Sequence, residues 1–309
     1  MKAIMYHYVR APDPALPYFR FLNIANFRRQ LDHFAAQHDF VTRAEWDAYV
    51  RHGRMPDQPG KVLLTFDDAM SCHFTHVFPE LRARGLWGIF YVPTGPYAGA
   101  GLLDVHRIHL LCGAHDGQAL WEHAHNLVSE DMVPFARRTA FREATYAAQV
   151  NAPGVSEFKR LLNYFIDEDL RPELIDRISA RFGTVFDSAQ FYVPQASLRL
   201  MANSGMVIGA HSAGHPVMSK LDAPAQRHEI ATSLDWVARI AGPQDWRSYC
   251  HPYGGFHSFD DTTVALLNDH RVDFSFNVEA RDMTAADIAL QRQALPRYDC
   301  NLFPHGQAD

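Results

Sequence analysis

Short apolar runs alternate along this chain with segments whose apolar residues recur at helical spacing. Runs rich in β-branched and aromatic residues predict strands at 3–9, 61–66, 88–92, 206–210, 247–253 and 273–278. Apolar stripes with helical spacing lie between them at 26–37, 74–84 and 225–241. This alternation predicts an α/β fold with a mostly parallel sheet or barrel, helices packed outside it, and ligands at the carboxyl ends of the strands.

One long stretch, 104–188, interrupts this rhythm. It carries helical patterns at 119–128, 134–150, 157–167 and 172–182, and no convincing strand. We expect a helical insertion within a single domain that spans residues 1–309. Insertions are accommodated in the loops at the ligand-binding end of such folds, so we expect it over the mouth of the barrel.

The composition is that of a globular protein and excludes several functional classes. Of 309 residues, 47% are apolar and 21% charged, and the net charge is −6, which argues against a nucleic-acid partner. The chain has no stretch of about 18 apolar residues that could span a bilayer, and its first residues lack the pattern of a secretory signal. The expected compartment is the cytoplasm. Four widely spaced cysteines are interpreted as buried thiols, and the sequence does not specify an oligomeric state.

The first candidate site follows the predicted strand at 61–66, which ends in Asp67 and Asp68. Adjacent side chains at the end of a strand diverge, so one carboxylate can bind a metal while the other handles a proton. The alternative interpretation is a helix cap or the start of a loop.

The second candidate site follows the strand at 206–210, where His211 and His215 are four residues apart. Two imidazoles and one carboxylate form a common ligand set for catalytic Zn²⁺, with a position left for water. Three other close pairs do not end a strand and are interpreted as surface or core histidines: His73/His76, His106/His109 and His123/His125.

The third candidate site is the segment 247–255, a strand that leaves into a turn rich in proline and glycine. Such a turn exposes backbone N–H groups, although an ordinary strand exit has the same composition.

Together these three strand ends resemble the polysaccharide deacetylases, the NodB-homology enzymes of carbohydrate esterase family 4. Thr65-Phe66-Asp67-Asp68 resembles the first motif of that family, His211-Ser212-Ala213-Gly214-His215 the second, and His251-Pro252-Tyr253-Gly254 the end of the third. Met5-Tyr6-His7 also fits the expected order near the start, and the resemblance covers about 220 residues, with the stretch 104–188 outside the motifs.

The resemblance implies a distorted (β/α) barrel of about seven strands and the metal-dependent removal of an acetyl group from an N-acetylated sugar. It implies that Asp68, His211 and His215 hold the metal, that Asp67 is the general base, and that the backbone N–H of Tyr253 binds the oxyanion. Zn²⁺ is the expected ion, with Co²⁺ or Ni²⁺ as alternatives.

The chain departs from the family pattern at three positions. Cys250 stands where the family commonly has an arginine that orients the base, and Arg297 is the candidate to supply the guanidinium instead. The late Leu-x-His motif that usually supplies the general acid is not evident, which leaves His251 as the candidate acid. Ala69 replaces the usual glycine after the paired carboxylates.

The expected function is that of a cytoplasmic N-deacetylase acting on an amino sugar of a surface polysaccharide, such as lipopolysaccharide, or on its nucleotide- or lipid-linked precursor. Two alternatives remain open. One is a catalytically silent member that binds a carbohydrate or metal, and the other is a deacylase for a different amide such as N-formyl.

Overall fold

The structure is a computed structural model that describes residues 1–134, 141, 145 and 151–308. The chain forms two compact units. The first comprises Met1–Ala11, Phe21–Ala100 and Ala189–Asp309, and the second comprises Pro12–Arg20 and Gly101–Ser188.

The first unit is built around a sheet of seven parallel strands. The strands of the chain are β1 (Lys2–Tyr6), β2 (Val9–Arg10), β3 (Leu22–Asn23), β4 (Val62–Phe66), β5 (Ile89–Val92), β6 (Val207–Ala210), β7 (Ser248–Cys250), β8 (Phe274–Phe276) and β9 (Tyr298–Asp299). Their order in the sheet is β8-β7-β6-β5-β4-β1-β9, while β2 and β3 form a separate pair. Each of the six predicted strand segments contains or overlaps one of these strands.

The segment that leads into β9 links the two ends of the sheet. Leu295 exchanges backbone hydrogen bonds of 2.9 Å with Ser275 and Asn277 at the end of β8, and three residues later Tyr298 pairs with Ile4 of β1. This single segment therefore joins β8 to β1, and the distorted (β/α) barrel of about seven strands is confirmed.

The α-helices of the described residues are, in chain order, α1 (Ile24–Gln37), α2 (Arg43–His52), α3 (Phe78–Ala83), α4 (Asp104–Ala114), α5 (Gly117–Leu127), α6 (Val155–Arg160), α7 (Arg171–Phe182), α8 (Gln195–Asn203), α9 (Ala223–Ala241), α10 (Asp261–Asp269) and α11 (Asp287–Leu290). A π-helical turn, His73–Val77, precedes α3, and another, Leu161–Phe165, follows α6. Local sequence fixes several ends. Thr42 and Glu45 form a capping box at the start of α2, and Gly53 ends that helix in the left-handed conformation.

Both faces of the sheet are buried, as expected for parallel strands. The outer face carries a stack of aromatic rings across three neighbouring strands, with centroids 5.2 Å apart for Tyr6 and Phe66 and 4.7 Å apart for Phe66 and Phe90. Phe27 of α1 packs edge-on against Tyr6 at 5.3 Å. Because side chains alternate along a strand, Thr65 and Asp67 point to the opposite face, into the barrel.

The barrel interior is packed closely enough to require a glycine in β6. A Cβ atom built on Gly209 would lie 2.3 Å from the ring of Tyr91 and 2.7 Å from the hydroxyl of Ser248. Because position 209 has no side chain, the ring of Tyr91 can pack against the backbone of β6.

The second unit is helical in its described residues, with α4, α5, α6 and α7 around a separate apolar core. That core includes Ile108, Leu120, Phe158, Leu162 and Ile175. The predicted helices at 119–128, 157–167 and 172–182 coincide with observed helical segments, while the predicted helix at 134–150 lies almost entirely outside the described residues. The sequence did not predict α4 or the inclusion of Pro12–Arg20.

Two further features concern membrane-spanning helices and the state of the cysteines. Within the part of the chain that the structure describes, no helix combines the length and apolar character needed to cross a bilayer. Cys72, Cys250 and Cys300 are buried free thiols, and Cys112 is half-buried and also free.

The contribution of core packing to stability can be tested by truncating a leucine at a buried and at an exposed position. Leu31 of α1 is 0% exposed and Leu290 of α11 is 83% exposed. We expect Leu31→Ala to lower the free energy of unfolding by about 2–5 kcal/mol, through lost burial and a residual cavity, and Leu290→Ala to change it by no more than about 0.5 kcal/mol. Denaturant unfolding of both variants measures the difference, and equal losses would contradict the described packing.

Candidate active site

The candidate residues follow the carboxyl ends of strands, and the backbone there is unusually strained. Asp68, Ala69, Ser212, His215 and Tyr253 all have positive φ angles, between 51° and 77°. Non-glycine residues rarely adopt this left-handed region, and such strain concentrates at functional sites. The exits of β4, β6 and β7 are each turned sharply in this way.

Three of these side chains meet at one point. Asp68, which follows β4, lies with His211 and His215, which follow β6, and one potential ligand atom from each lies within 4.8 Å of the others. The Oδ1 atom of Asp68 is 3.5 Å from Nε2 of His211 and 3.4 Å from Nε2 of His215. All three side chains are buried.

These separations fit a metal ion. A tetrahedral ion with Zn–N and Zn–O bonds of about 2.0–2.2 Å separates its ligand atoms by about 3.3–3.5 Å. The donor set of two imidazole nitrogens and one carboxylate oxygen is also one that divalent transition metals accept, with room for a further ligand. The residues present therefore fit a divalent metal ion such as Zn²⁺, Co²⁺ or Ni²⁺.

Neighbouring groups orient the two histidines. The Nδ1 atom of His211 lies 2.8 Å from the backbone carbonyl of Cys250, and a carbonyl can only accept, so Nδ1 carries the proton and Nε2 presents its lone pair to the cluster. Burial lowers the pKa of His211 and so favours the neutral imidazole that a metal requires.

The turn between the histidines is anchored from α9. The carboxylate of Glu229 accepts hydrogen bonds from the backbone N–H groups of Ala213, at 2.8 Å, and Gly214, at 2.7 Å. The hydroxyl of Ser212 accepts another from the N–H of His215 at 3.0 Å. Glu229 is 14 residues beyond His215, and no local pattern had marked it.

The second carboxylate, Asp67, forms a buried ion pair with Arg297. Nη1 and Nη2 of Arg297 donate to Oδ1 and Oδ2 of Asp67 at 2.8 and 2.7 Å, and the arginine is 1% exposed. Nη2 also lies 3.0 Å from Sγ of Cys250. The small thiol stands beside the guanidinium, at the position where the family commonly has an arginine, and Arg297 reaches Asp67 from the residue that precedes β9.

Burial and the ion pair have opposite effects on Asp67. Burial alone would raise the pKa of its carboxyl, but the charge and hydrogen bonds of Arg297 outweigh this and hold the pKa below its ordinary value. Asp67, His211 and Cys250 also lie within 4.8 Å of one another. A cation among those three would face the guanidinium of Arg297, so charge favours the set formed by Asp68, His211 and His215 as the metal ligands.

The surroundings of His251 argue against its predicted role as the general acid. Its Nε2 atom lies 2.8 Å from the backbone carbonyl of Gln293 and 3.2 Å from the hydroxyl of Ser275, and its ring stacks on Phe259 at 3.8 Å. Burial lowers the pKa of His251 to about 4, so the ring is neutral. Its N–H is held by the carbonyl of Gln293.

Tyr253 lies next to the candidate metal ligands. Its ring packs edge-on against the imidazole of His215, with centroids 4.8 Å apart.

A further histidine, His7, faces both carboxylates. It follows β1 directly, and its Nε2 atom is 3.9 Å from Oδ2 of Asp67 and 3.9 Å from Oδ2 of Asp68. Its side chain is 36% exposed, whereas both carboxylates are nearly inaccessible. The sequence signal was a polar residue after a short apolar strand, the same signal that identified the other strand ends.

Comparisons with known proteins agree with this geometry. Residues 177–275 match the model of the family described as polysaccharide deacetylase, a segment that includes His211, His215 and His251. No curated protein matches the chain.

Several solved structures share the fold. They include the deacetylase PplD of Streptococcus pyogenes in complex with acetate, with 14% identity, a TM-score of 0.59, and coverage of 97% of this chain and 91% of that one. IcaB from Ammonifex degensii matches with 16% identity, a TM-score of 0.56 and coverage of 96% and 90%. The deacetylase domain of BpsB from Bordetella bronchiseptica matches with 16% identity, a TM-score of 0.53 and coverage of 96% and 94%.

The strand-end motifs, the matched segment and the shared fold lead to the same family. The resemblance expected from the sequence is confirmed: residues 177–275 match the polysaccharide deacetylase family, and the fold is shared with solved deacetylases.

Proposed function

We propose that this protein is a metal-dependent hydrolase that removes an N-acetyl group from an amino sugar. The observation that carries the proposal is the meeting of Asp68, His211 and His215 at one point, with the carboxylate of Asp67 beside them and clamped by Arg297. A metal site next to an ionised carboxylate can activate a water and accept its proton, which is one established way to hydrolyse an amide.

Asp68, His211 and His215 are the proposed ligands of the ion, with Zn²⁺ as the first candidate. When bound, such an ion supplies a water of lowered pKa and polarises the acyl carbonyl. The same three ligands could hold Co²⁺ or Ni²⁺.

Asp67 is the proposed general base, which accepts the proton of the attacking water. Its two hydrogen bonds to Arg297 fix the plane of the carboxylate and keep it ionised. Arg297 thus supplies the guanidinium that the third motif lacks at Cys250.

His7 is the proposed general acid. Hydrolysis breaks the bond between the acyl carbon and the nitrogen, and the nitrogen must gain a proton to leave as an amine. His7 is the partly exposed imidazole beside the two carboxylates, and it could deliver that proton. The backbone N–H of Tyr253 is the proposed donor to the acyl oxygen as negative charge develops there.

The proposed substrate is an N-acetylated sugar of a surface polysaccharide or its nucleotide- or lipid-linked precursor, handled in the cytoplasm. The family match and the deacetylase names of the structural relatives support a carbohydrate. The silent alternative rested on the missing arginine and the missing late histidine, and it loses that support because Arg297 and His7 lie beside the catalytic carboxylate.

The proposal is tested by measuring the release of carboxylic acid and free amine from a panel of N-acetylated and N-formylated amino sugars, each offered as an oligosaccharide, nucleotide-linked and lipid-linked form. We expect acetate from at least one N-acetylated compound. If only formate were released, the acyl group in the proposal would be formyl and not acetyl. If the metal-loaded protein turned over none of the compounds, the proposed activity would be contradicted.

Metal binding should stabilise the protein through the three proposed ligands. Protein treated with chelator and then given Zn²⁺ at about 100 times its Kd should gain about 2.7 kcal/mol in stability, seen as a higher Tm. His211→Ala and His215→Ala should abolish the gain. His228→Ala, at an exposed histidine, is the control and should keep it; a gain that survives both ligand substitutions would place the metal elsewhere.

The two neighbouring aspartates should separate metal binding from turnover. Asp67→Asn should lower kcat by about 10²–10⁴ while the protein still binds one equivalent of metal, because only the proton acceptor is lost. Asp68→Asn should weaken metal binding and turnover together. Metal content and acetate release, measured on the same preparations, show whether the two aspartates have these separate roles. Full activity of Asp67→Asn would refute its assignment as the base.

A further inference from the structure

The short link between β1 and β2, which carries His7, is held by three successive backbone carbonyls. The carbonyl of Tyr6 accepts from the N–H of Asp67 at 3.0 Å, and that of Tyr8 accepts from the N–H of Leu22 at 2.9 Å. The carbonyl between them, that of His7 itself, is bound by a side chain: Nε2 of His73 lies 2.6 Å away. The backbone of the proposed acid therefore has a specific side-chain anchor.

His73 is an unusual residue to find at this position. It begins the π-helical turn His73–Val77 and is 0% exposed. Its ring packs at 5.7 Å from Phe66 and 5.9 Å from Phe90, within the aromatic stack that covers β4 and β5. A phenylalanine or leucine would fill such an apolar space at lower cost, because a buried polar group must be compensated by its hydrogen bonds.

The contact fixes which nitrogen of His73 carries the proton. A backbone carbonyl can only accept, so Nε2 is the protonated nitrogen. Burial lowers the pKa of His73 to about 4, and the ring is therefore neutral. His73 is thus a fixed donor whose single N–H points at the backbone of His7.

We propose that His73 is a positioning residue that holds His7 beside Asp67 and Asp68 by its hydrogen bond to the His7 carbonyl. The inference rests on the proposed function, because it assigns His73 a task only if His7 delivers a proton. A misplacement of about 1 Å in a catalytic group can lower a rate about 10²-fold, so one anchoring bond can matter for turnover. His73 itself does not touch substrate.

Two variants of similar size separate the hydrogen bond from the packing. In His73→Gln the side-chain amide nitrogen can occupy the place of Nε2 and still donate to the His7 carbonyl. In His73→Met a side chain of similar length fills the space without a donor. Unfolding midpoints and metal content of both variants are measured first, so that loss of folding is recognised and not counted as loss of catalysis.

Two substrates then distinguish a misplaced general acid from a general loss of activity. One is the best N-acetylated sugar of the panel, whose amine leaves only when protonated. The other is 4-nitrophenyl acetate, whose phenolate leaves without a proton and so does not need the acid. Wild type, both His73 variants and His7→Ala are compared on both substrates.

We expect His73→Met to lower kcat on the amide about 10–100-fold with KM changed less than about threefold, and His73→Gln to stay within about threefold of wild type. On the aryl ester both His73 variants should remain within about threefold of wild type. Wild-type kcat in His73→Met on the amide, or equal losses on both substrates, would overturn the positioning role. If neither variant folds, a ¹⁵N-histidine spectrum of wild type still tests the inference, since protonation of His73 at Nδ1 would overturn it.

Failure of the underlying function has a different signature. A wild type that releases no acid from any amide of the panel refutes the proposed activity, and the positioning role with it. An active wild type with an unaffected His73→Met variant refutes the positioning role alone.

Discussion

The ion pair between Asp67 and Arg297 is the constraint on which the arrangement of the site depends. Both partners are almost completely buried, and a charge buried without a partner is strongly unfavourable. With two short hydrogen bonds, the pair keeps Asp67 ionised in a place where burial alone would favour its neutral form. Asp68, one residue further on, turns away through a left-handed backbone and faces the histidines instead. Two neighbouring carboxylates thus acquire two environments.

The barrel holds the residues at the strand ends in the positions that the proposed chemistry needs. The strained exits of β4, β6 and β7 are stabilised by groups that lie elsewhere in the chain, such as Glu229 of α9 below the His211–His215 turn. The same principle applies to His7, whose backbone is tied to Asp67, His73 and Leu22. Strained turns persist only where the surrounding structure compensates them, and here that structure is the barrel with its outer helices.

Local patterns predicted much of the fold and part of the site. The strands and helices of the barrel were recognisable because their apolar residues recur with the proper period, and Asp67, Asp68, His211 and His215 stood out as polar residues directly after apolar runs. His7 was noted near the start of the chain but given no role, because the sequence does not show that it faces the two carboxylates. Glu229 was missed because a single residue on an amphipathic helix has no distinctive neighbours. His251 was chosen for its motif, which does not reveal that its ring stacks on Phe259 and that its Nε2 faces the carbonyl of Gln293. His73 was interpreted as an ordinary surface or core histidine, since only the folded chain reveals the carbonyl it faces.

Arg297 follows all the other proposed site residues in the sequence, so it is the last of them to be synthesised. A nascent polypeptide that has emerged only through β8 already contains every proposed metal ligand, the base and the acid, yet it lacks the segment that joins β8 to β1. Until residues 295–299 arrive, Asp67 has no countercharge and the barrel has an open seam. The proposed site is therefore complete only once residues 295–299 have followed the proposed ligands, base and acid out of the ribosome.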